Sequence, residues 1–107
     1  MVPTKERNHT AILLTYKTDG ILFDCGEGTQ RQLAIAGIKP TKITKILISH
    51  WHGDHVLGLP GLIQTLGANE YSGTLEIYGP KGTKKFIDNI FTSYIFDRQI
   101  KLKITDI

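Results

Sequence analysis

Short runs of apolar and β-branched residues predict five strands along this chain. The runs cover residues 10–17, 21–24, 43–49, 75–78 and 100–105. They are short and rich in apolar and β-branched residues, which favours strands over helices. The run 43–49 is rich in apolar residues and predicts a strand buried on both faces. The run 100–105 alternates apolar residues with lysines, so it predicts a strand with one basic side.

Three helices are predicted between these strands, and a hairpin joins the first two. The step Asp19-Gly20 is typical of a hairpin turn, so the first two strands should be antiparallel. A helix is expected to open after Gly28 and to run to about Ala36, because Gly37 is a stop signal. A second helix should cover 59–66, and 67–70 should end it.

The third helix should cover 82–96, because its apolar residues fall on one helical face: Phe86, Ile87, Ile90, Phe91, Tyr94 and Ile95. The polar opening, 1–9, predicts a loop. The alternation of strands and helices predicts an α/β fold, with helices that cover a mixed sheet.

Composition sets limits on the class of protein. The chain has 107 residues, which is one domain or part of one. It carries 13 basic and 10 acidic residues, a balance of +3 that is compatible with a polyanionic partner. Lysines 81, 84 and 85 are expected to form a solvated face rather than an RNA-binding patch.

The single cysteine, Cys25, excludes an internal disulfide framework and fits a reducing compartment. We expect it to be a small buried residue rather than a nucleophile. No apolar run reaches membrane-spanning length and no signal peptide is visible, so a cytoplasmic protein without membrane contact is expected.

The candidate chemistry lies directly after the third strand, at His50, His52, Asp54 and His55. In an extended backbone His50 and His52 point to the same side, and Gly53 permits a tight turn that brings in the other two. Neutral imidazoles suit zinc, and a carboxylate offsets part of the charge of a dication. The four donors could close one tetrahedral site, or they could be divided between two sites that other residues complete. The helix that follows would add positive potential near them.

The motif His50-x-His52-x-Asp54-His55 resembles the signature of the metallo-β-lactamase superfamily. By themselves, residues 24–33 read as a tight turn that opens a helix. Together with the Gly-Leu-Pro-Gly-Leu run at 58–62, they resemble the ribonuclease Z family of tRNA 3′-end processing endonucleases. Residues 2–4 and 7–8 resemble that family's first loop as well, so the resemblance covers nearly all of the chain.

This resemblance implies an α/β fold of the αββα sandwich type, usually a homodimer, with two zinc ions per complete active site. His50 and His52 would hold one zinc, and Asp54 and His55 the other. Asp54 would also accept a proton from the attacking water, which makes it the catalytic residue. The implied substrate is precursor tRNA, cleaved beyond the acceptor stem by phosphodiester hydrolysis with a metal-activated water.

The sequence departs from the family pattern in what it omits. We expect residues 1–107 to be about the first half of the sandwich, without the family's first strand and carboxyl-terminal half. The remaining zinc ligands and the proton donor to the leaving group would lie in the missing part, so the fragment should be inactive by itself. Two alternatives stay open: another hydrolase of this fold, either a phosphodiesterase or arylsulfatase-like, and a non-catalytic metal-binding or assembly module.

Overall fold

The predicted strands form one mixed sheet, and the predicted helices pack on it. The computed structural model describes residues 12–51, 56–69, 71–93 and 100–107. In these residues the strand order is β1-β2-β3-β4-β5. The strands are β1 (Ile12–Tyr16), β2 (Asp19–Phe23), β3 (Lys45–Leu47), β4 (Thr74–Gly79) and β5 (Lys101–Asp106). The helices are α1 (Thr29–Ile35), α2 (Leu59–Ala68) and α3 (Thr83–Ser93), and a 3₁₀ turn at Pro40–Lys42 precedes β3.

The connections place the three helices on one face of the sheet. Strands β1 and β2 are antiparallel, and β2 to β5 are parallel neighbours in chain order. Because crossovers between parallel strands are right-handed, successive steps in one direction bring every helix to the same side. The buried core agrees with this arrangement, because it joins sheet residues to one or more residues from each helix: Leu22, Ile46 and Ile77 from the sheet, with Leu33, Leu62 and Ile87 from the helices.

The opposite side of the sheet, which we call the open face, carries exposed apolar side chains. Ile12, Leu14 and Tyr16 of β1 are 65%, 52% and 61% exposed, whereas Leu22 on the helix-covered face is 1% exposed. Further along the open face, Lys45 forms ion pairs with Asp19 at 3.4 Å and with Glu76 at 3.1 Å. An apolar surface of this kind usually marks a surface that packs against another layer.

The hairpin between β1 and β2 is confirmed, but its predicted turn is wrong. Tyr16 pairs with Asp19 and Thr15 with Gly20, so the turn consists of Lys17 and Thr18. Lys17 takes the left-handed conformation there, with φ 55°. Gly20 serves a different purpose, because a Cβ at this position would overlap the carbonyl oxygen of Lys42. The glycine therefore permits a close backbone approach, not the turn.

Strand β3 differs from the prediction in its length and its burial. It spans Lys45–Leu47, and Ile46 is fully buried, whereas Lys45 and Leu47 are only half-buried. The prediction of burial on both faces is wrong because the helices cover one face only. The period-two pattern of β5 is confirmed, since Lys101 and Lys103 are exposed and Leu102 is half-buried.

The predicted end of α1 is confirmed, whereas the predicted end of α2 is wrong. Gly37 ends α1 as predicted, with φ 73°, and the N–H of Ile38 donates to the carbonyl oxygen of Leu33 at 2.8 Å. Helix α2 runs to Ala68, two residues beyond the predicted end, because Gly67 is buried within it.

Some predictions lie outside the described residues, namely the opening loop and the last apolar positions of the third helix, Tyr94 and Ile95. Among the residues that are described, no helix has the length and apolar character needed to cross a membrane.

Candidate metal centre

Of the four predicted metal ligands, His50 is the one that the structure describes. It follows β3 after Ile48 and Ser49 and is half-buried. His52, Asp54 and His55 lie outside the described residues, so the predicted convergence of the four donors stays a prediction. Within 12–51, 56–69, 71–93 and 100–107, no three His, Cys, Asp or Glu side chains form a group that could hold a metal ion.

Asp24, which follows β2 directly, binds the residue next to His50. One carboxylate oxygen, Oδ1, accepts the backbone N–H of Ser49 at 2.7 Å, and Oδ2 accepts the Ser49 hydroxyl at 2.9 Å. Because β2 and β3 are parallel neighbours, their carboxyl ends meet at the same edge of the sheet and bring these two residues together. Asp24 thereby fixes the start of the segment that carries the predicted ligands.

The backbone of Asp24 is held as firmly as its side chain. Its N–H donates to the carbonyl oxygen of Leu47 at 2.7 Å, and the residue is 6% exposed. It adopts the left-handed conformation, with φ 64°, which Asp tolerates better than most residues. This conformation turns the chain away from β2 immediately before Cys25 and Gly26.

Ser49 continues the contact to the imidazole of His50. The Ser49 Oγ lies 3.0 Å from Nδ1 of His50, within hydrogen-bond distance. Asp24, Ser49 and His50 therefore form one chain of hydrogen bonds from a buried carboxylate to a predicted metal ligand. We call it the Asp24 relay. Outer partners of this kind orient metal-bound histidines in proteins, so the environment of His50 fits a divalent metal such as zinc.

The residue that follows His50 is anchored to the start of α3. The indole Nε1 of Trp51 donates to Oγ1 of Thr83 at 3.0 Å, and that hydroxyl donates to the carbonyl oxygen of Pro80 at 2.7 Å. The Trp51 ring also packs against Phe86, with centroids 5.1 Å apart. The segment is thus fixed on both sides of His50, by Asp24 and by Thr83.

A cleft of about 270 Å³ lies beside this anchor. It is lined by the apolar side chains of Trp51, Val56, Leu57, Pro60, Phe86 and Ile90.

The two glycine-rich runs of the sequence pack against each other next to the relay. The N–H of Gly58 donates to the carbonyl oxygen of Cys25 at 2.9 Å, and a Cβ on Gly58 would overlap the carbonyl oxygen of Gly26. The same Gly26 oxygen accepts the hydroxyl of Thr29 at 2.6 Å. The start of α2 is therefore fixed against the loop that follows Asp24.

Cys25 is buried, as predicted, and does not have the character of a nucleophile. Burial raises the pKa of its thiol to about 12, and the nearby charge of Asp24 adds to the rise, while a hydrogen bond with Thr29 opposes it. A thiol with this pKa stays protonated near neutral pH.

Sequence reasoning missed the role of two residues, Asp24 and Ser49. Asp24 appeared as the end of a strand, and Ser49 as part of the approach to the motif. The available signal was an acid at the carboxyl end of a buried strand, which is where sites form in parallel α/β sheets. Lys81, Lys84 and Lys85 are exposed, as a solvated face requires, and the choice of that face over an RNA-binding patch stays a prediction.

Comparison with known protein families decides the wider relationship. The family model described as "Metallo-beta-lactamase superfamily" matches residues 4–106. The chain belongs to the metallo-β-lactamase superfamily. Its sheet and helices agree with the predicted α/β class, and they represent part of the superfamily's αββα sandwich.

Individual relatives narrow the comparison to ribonuclease Z. The chain is 46% identical to the ribonuclease Z of Methanothermobacter thermautotrophicus over 106 residues, which are 99% of this chain and 34% of that protein. It is 49% identical to the ribonuclease Z of Methanococcus aeolicus over 104 residues, 97% of this chain and 32% of that protein. The chain thus spans about a third of the length of these curated relatives.

A solved structure agrees with both comparisons. The crystal structure of the short form of human tRNase Z matches 99% of this chain with a TM-score of 0.87 and 39% sequence identity. The match covers 40% of the human chain.

Proposed function

We propose that this chain supplies the first part of the active site of a ribonuclease Z-type endonuclease, which removes 3′ trailers from precursor tRNA. The observation that carries the proposal is the Asp24 relay, which holds His50 at the carboxyl ends of β2 and β3. It does so in a chain that is 46–49% identical to ribonuclease Z proteins from two archaea. The relay supports a metal site, and the relatives support the choice of substrate.

In this proposal the metal ligands are divided between two zinc ions. His50 and His52 hold one ion, and Asp54 and His55 hold the other. When bound, paired zinc ions lower the pKa of a water molecule and neutralise charge on the phosphate. Asp54 accepts the proton from the attacking water, while the Asp24 relay keeps the His50 ring in place. Trp51, tied to Thr83, limits the movement of the same segment.

A complete site requires residues beyond these four. Besides them, the sequence contains one further histidine, His9, which does not match the family's motifs. We therefore propose that residues 1–107 form a partial domain that is inactive by itself. The open face supports this view, because the apolar side chains of Ile12, Leu14 and Tyr16 would pack against the second sheet of an αββα sandwich.

The proposed substrate agrees with the charge of the chain. RNA of this kind is recognised largely by shape and by backbone contacts, and the balance of +3 suits such a partner. A homodimer and a cytoplasmic location are further parts of the proposal, and both come from the family resemblance.

A hybrid enzyme tests the proposal directly. The 106 matched residues of this chain replace the matching third of the M. thermautotrophicus ribonuclease Z, and the hybrid is assayed with precursor tRNA. We expect cleavage beyond the acceptor stem that leaves a 3′-hydroxyl, whereas the isolated 107-residue chain should show none. The native archaeal enzyme is the positive control.

The same assay separates the alternatives. A hybrid that folds and binds zinc could fail to cleave precursor tRNA and hydrolyse a cyclic nucleotide or an aryl sulfate instead. This result would support another hydrolase of this superfamily. Tight binding of two zinc ions by the isolated chain would contradict the incomplete site and would support a metal-binding module.

A further inference from the structure

The hydrogen-bond directions in the Asp24 relay follow from a count of protons. A serine hydroxyl has one proton to donate, and a carboxylate has none. Oδ2 of Asp24 lies 2.9 Å from the Ser49 Oγ and can only accept, so the hydroxyl proton must point to Asp24. The Ser49 Oγ is then an acceptor toward His50, whose Nδ1 is 3.0 Å away. The proton of the neutral imidazole therefore belongs on Nδ1.

We propose that Asp24 and Ser49 are positioning residues that select the Nδ1–H tautomer of His50, so that Nε2 presents its lone pair to a metal ion. A neutral histidine can coordinate only through the nitrogen that carries no proton, and its second nitrogen sets which one that is. The role of His50 as a metal ligand rests on the proposed function, whereas its tautomer is inferred from the hydrogen bonds of the Asp24 relay.

The geometry around Asp24 makes the direction of the relay rigid. Oδ1 is committed to the backbone N–H of Ser49 at 2.7 Å, so Oδ2 must face the hydroxyl. Burial and the backbone hydrogen bond to the carbonyl oxygen of Leu47 hold Asp24 in this position. A purely structural role, in which Asp24 only joins β2 to β3, would need the contact to the Ser49 backbone but would not need the hydroxyl.

Asp24→Asn separates these two roles. The backbone N–H of Ser49 still requires an acceptor, so the amide oxygen takes the place of Oδ1 and the NH₂ group faces the hydroxyl. The NH₂ group donates to Oγ, the hydroxyl then donates to Nδ1, and the imidazole proton is forced onto Nε2. Asn also suits the left-handed conformation at φ 64°, so the backbone is preserved.

The experiment reads the tautomer by NMR in the metal-free 107-residue chain labelled with ¹⁵N-histidine. The His50 signals are assigned from the His50→Gln spectrum. We expect Nδ1–H in the native chain and in Ser49→Thr, a mixture in Ser49→Ala, and Nε2–H in Asp24→Asn. Asp19→Asn is the matched control, because Asp19 lies at the start of β2 and accepts its hydrogen bonds from Thr44 and Lys45. It should leave His50 unchanged.

Zinc affinity of the hybrid enzyme, measured by competition with a chromophoric chelator, provides the second readout. Loss of an outer partner typically weakens metal binding about 10- to 100-fold. We expect Ser49→Ala to fall in this range and Asp24→Asn to be weaker still, because it enforces the wrong tautomer. The double variant should match Ser49→Ala, because without the hydroxyl the reversed relay cannot reach His50.

Two NMR results would overturn the inference: an Nε2–H tautomer in the native chain, or an unchanged tautomer in Asp24→Asn. Additive losses of zinc affinity in the double variant would also contradict it and would support a structural role. If the native chain shows Nδ1–H and the hybrid enzyme binds no zinc, the inference about the ring holds and the proposed metal centre fails. The two hypotheses are therefore tested separately.

Discussion

Gly58 donates its backbone N–H to the carbonyl oxygen of Cys25 at 2.9 Å, which joins the start of α2 to the loop that follows Asp24. The two backbones approach so closely that any side chain at position 58 would overlap the Gly26 oxygen. Gly58 has φ −81°, which any residue can adopt, so the requirement for glycine is purely one of space. This contact explains why position 58 is a glycine.

We expect Gly58→Ala to lower the free energy of unfolding by about 1–3 kcal/mol, because the new methyl group forces two backbones apart. Urea denaturation of the chain measures the loss. Gly73→Ala is the control, since a Cβ at Gly73 would have Tyr71 as its nearest neighbour at 3.7 Å, an ordinary contact. Equal stability of the two variants would contradict the crowding at Gly58.

The link between Trp51 and Thr83 predicts a second stability effect. Thr83→Val keeps the shape of a fully buried side chain but removes the hydroxyl that bonds Trp51 and Pro80. We expect a loss of about 1–3 kcal/mol, because buried polar groups are left without partners. The fluorescence of Trp51, the single tryptophan, should move to longer wavelength as its ring is released.

Thr92→Val is the matched control for this prediction. Thr92 also lies on α3 and also donates to the carbonyl oxygen three residues earlier, that of Asn89, but its bond is exposed. Thr92→Val should change the free energy of unfolding by less than about 0.5 kcal/mol. It should leave the emission wavelength of Trp51 unchanged. A Thr83→Val chain with native fluorescence would show that the hydroxyl does not hold Trp51.

Local patterns predicted most of the elements, but not the contacts that organise the site. The runs around Leu22, Ile46 and Ile104 have the composition of strands, so their existence could be read directly. The Asp24 relay could not be predicted from local patterns, because Asp24 and Ser49 are 25 residues apart and meet only when β2 and β3 become neighbours. Gly20 misled the turn prediction because its role depends on the approach of Lys42, which local sequence does not reveal.

The buried thiol of Cys25 predicts a specific loss of stability in alkali. Its pKa is raised from 9.0 to about 12 in the folded chain, so the folded state holds a proton that the unfolded state releases between these values. Stability should therefore fall as pH rises above about 9, by up to about 1.4 kcal/mol per pH unit. The measurement is the difference between the native chain and Cys25→Ala from pH 8 to 11. If the native chain and Cys25→Ala lose stability in parallel as pH rises, the raised pKa of Cys25 would be contradicted.

The open face predicts self-association of the isolated chain. Ile12, Leu14 and Tyr16 expose an apolar surface that favours contact with another sheet. Sedimentation velocity should show species larger than the 12.0 kDa monomer. The substitution Leu14→Lys should shift the distribution of species toward the monomer. Ile35→Lys is the control, because Ile35 is also exposed but lies on α1. A native chain that sediments as a monomer would contradict this prediction.

The proposed catalytic role of Asp54 leads to a kinetic prediction in the hybrid enzyme. In the proposed mechanism Asp54→Ala removes both a zinc ligand and the proton acceptor. Single-turnover cleavage of precursor tRNA should therefore fall by at least about 10²-fold, since a general base alone contributes about 10²- to 10⁴-fold. Lys84→Ala is the control, because the exposed Lys84 donates its backbone N–H to Asp106 at 3.1 Å and alanine keeps that bond. The chemical step should remain intact in this variant. Equal losses from both substitutions would show that Asp54 has no special part in the reaction.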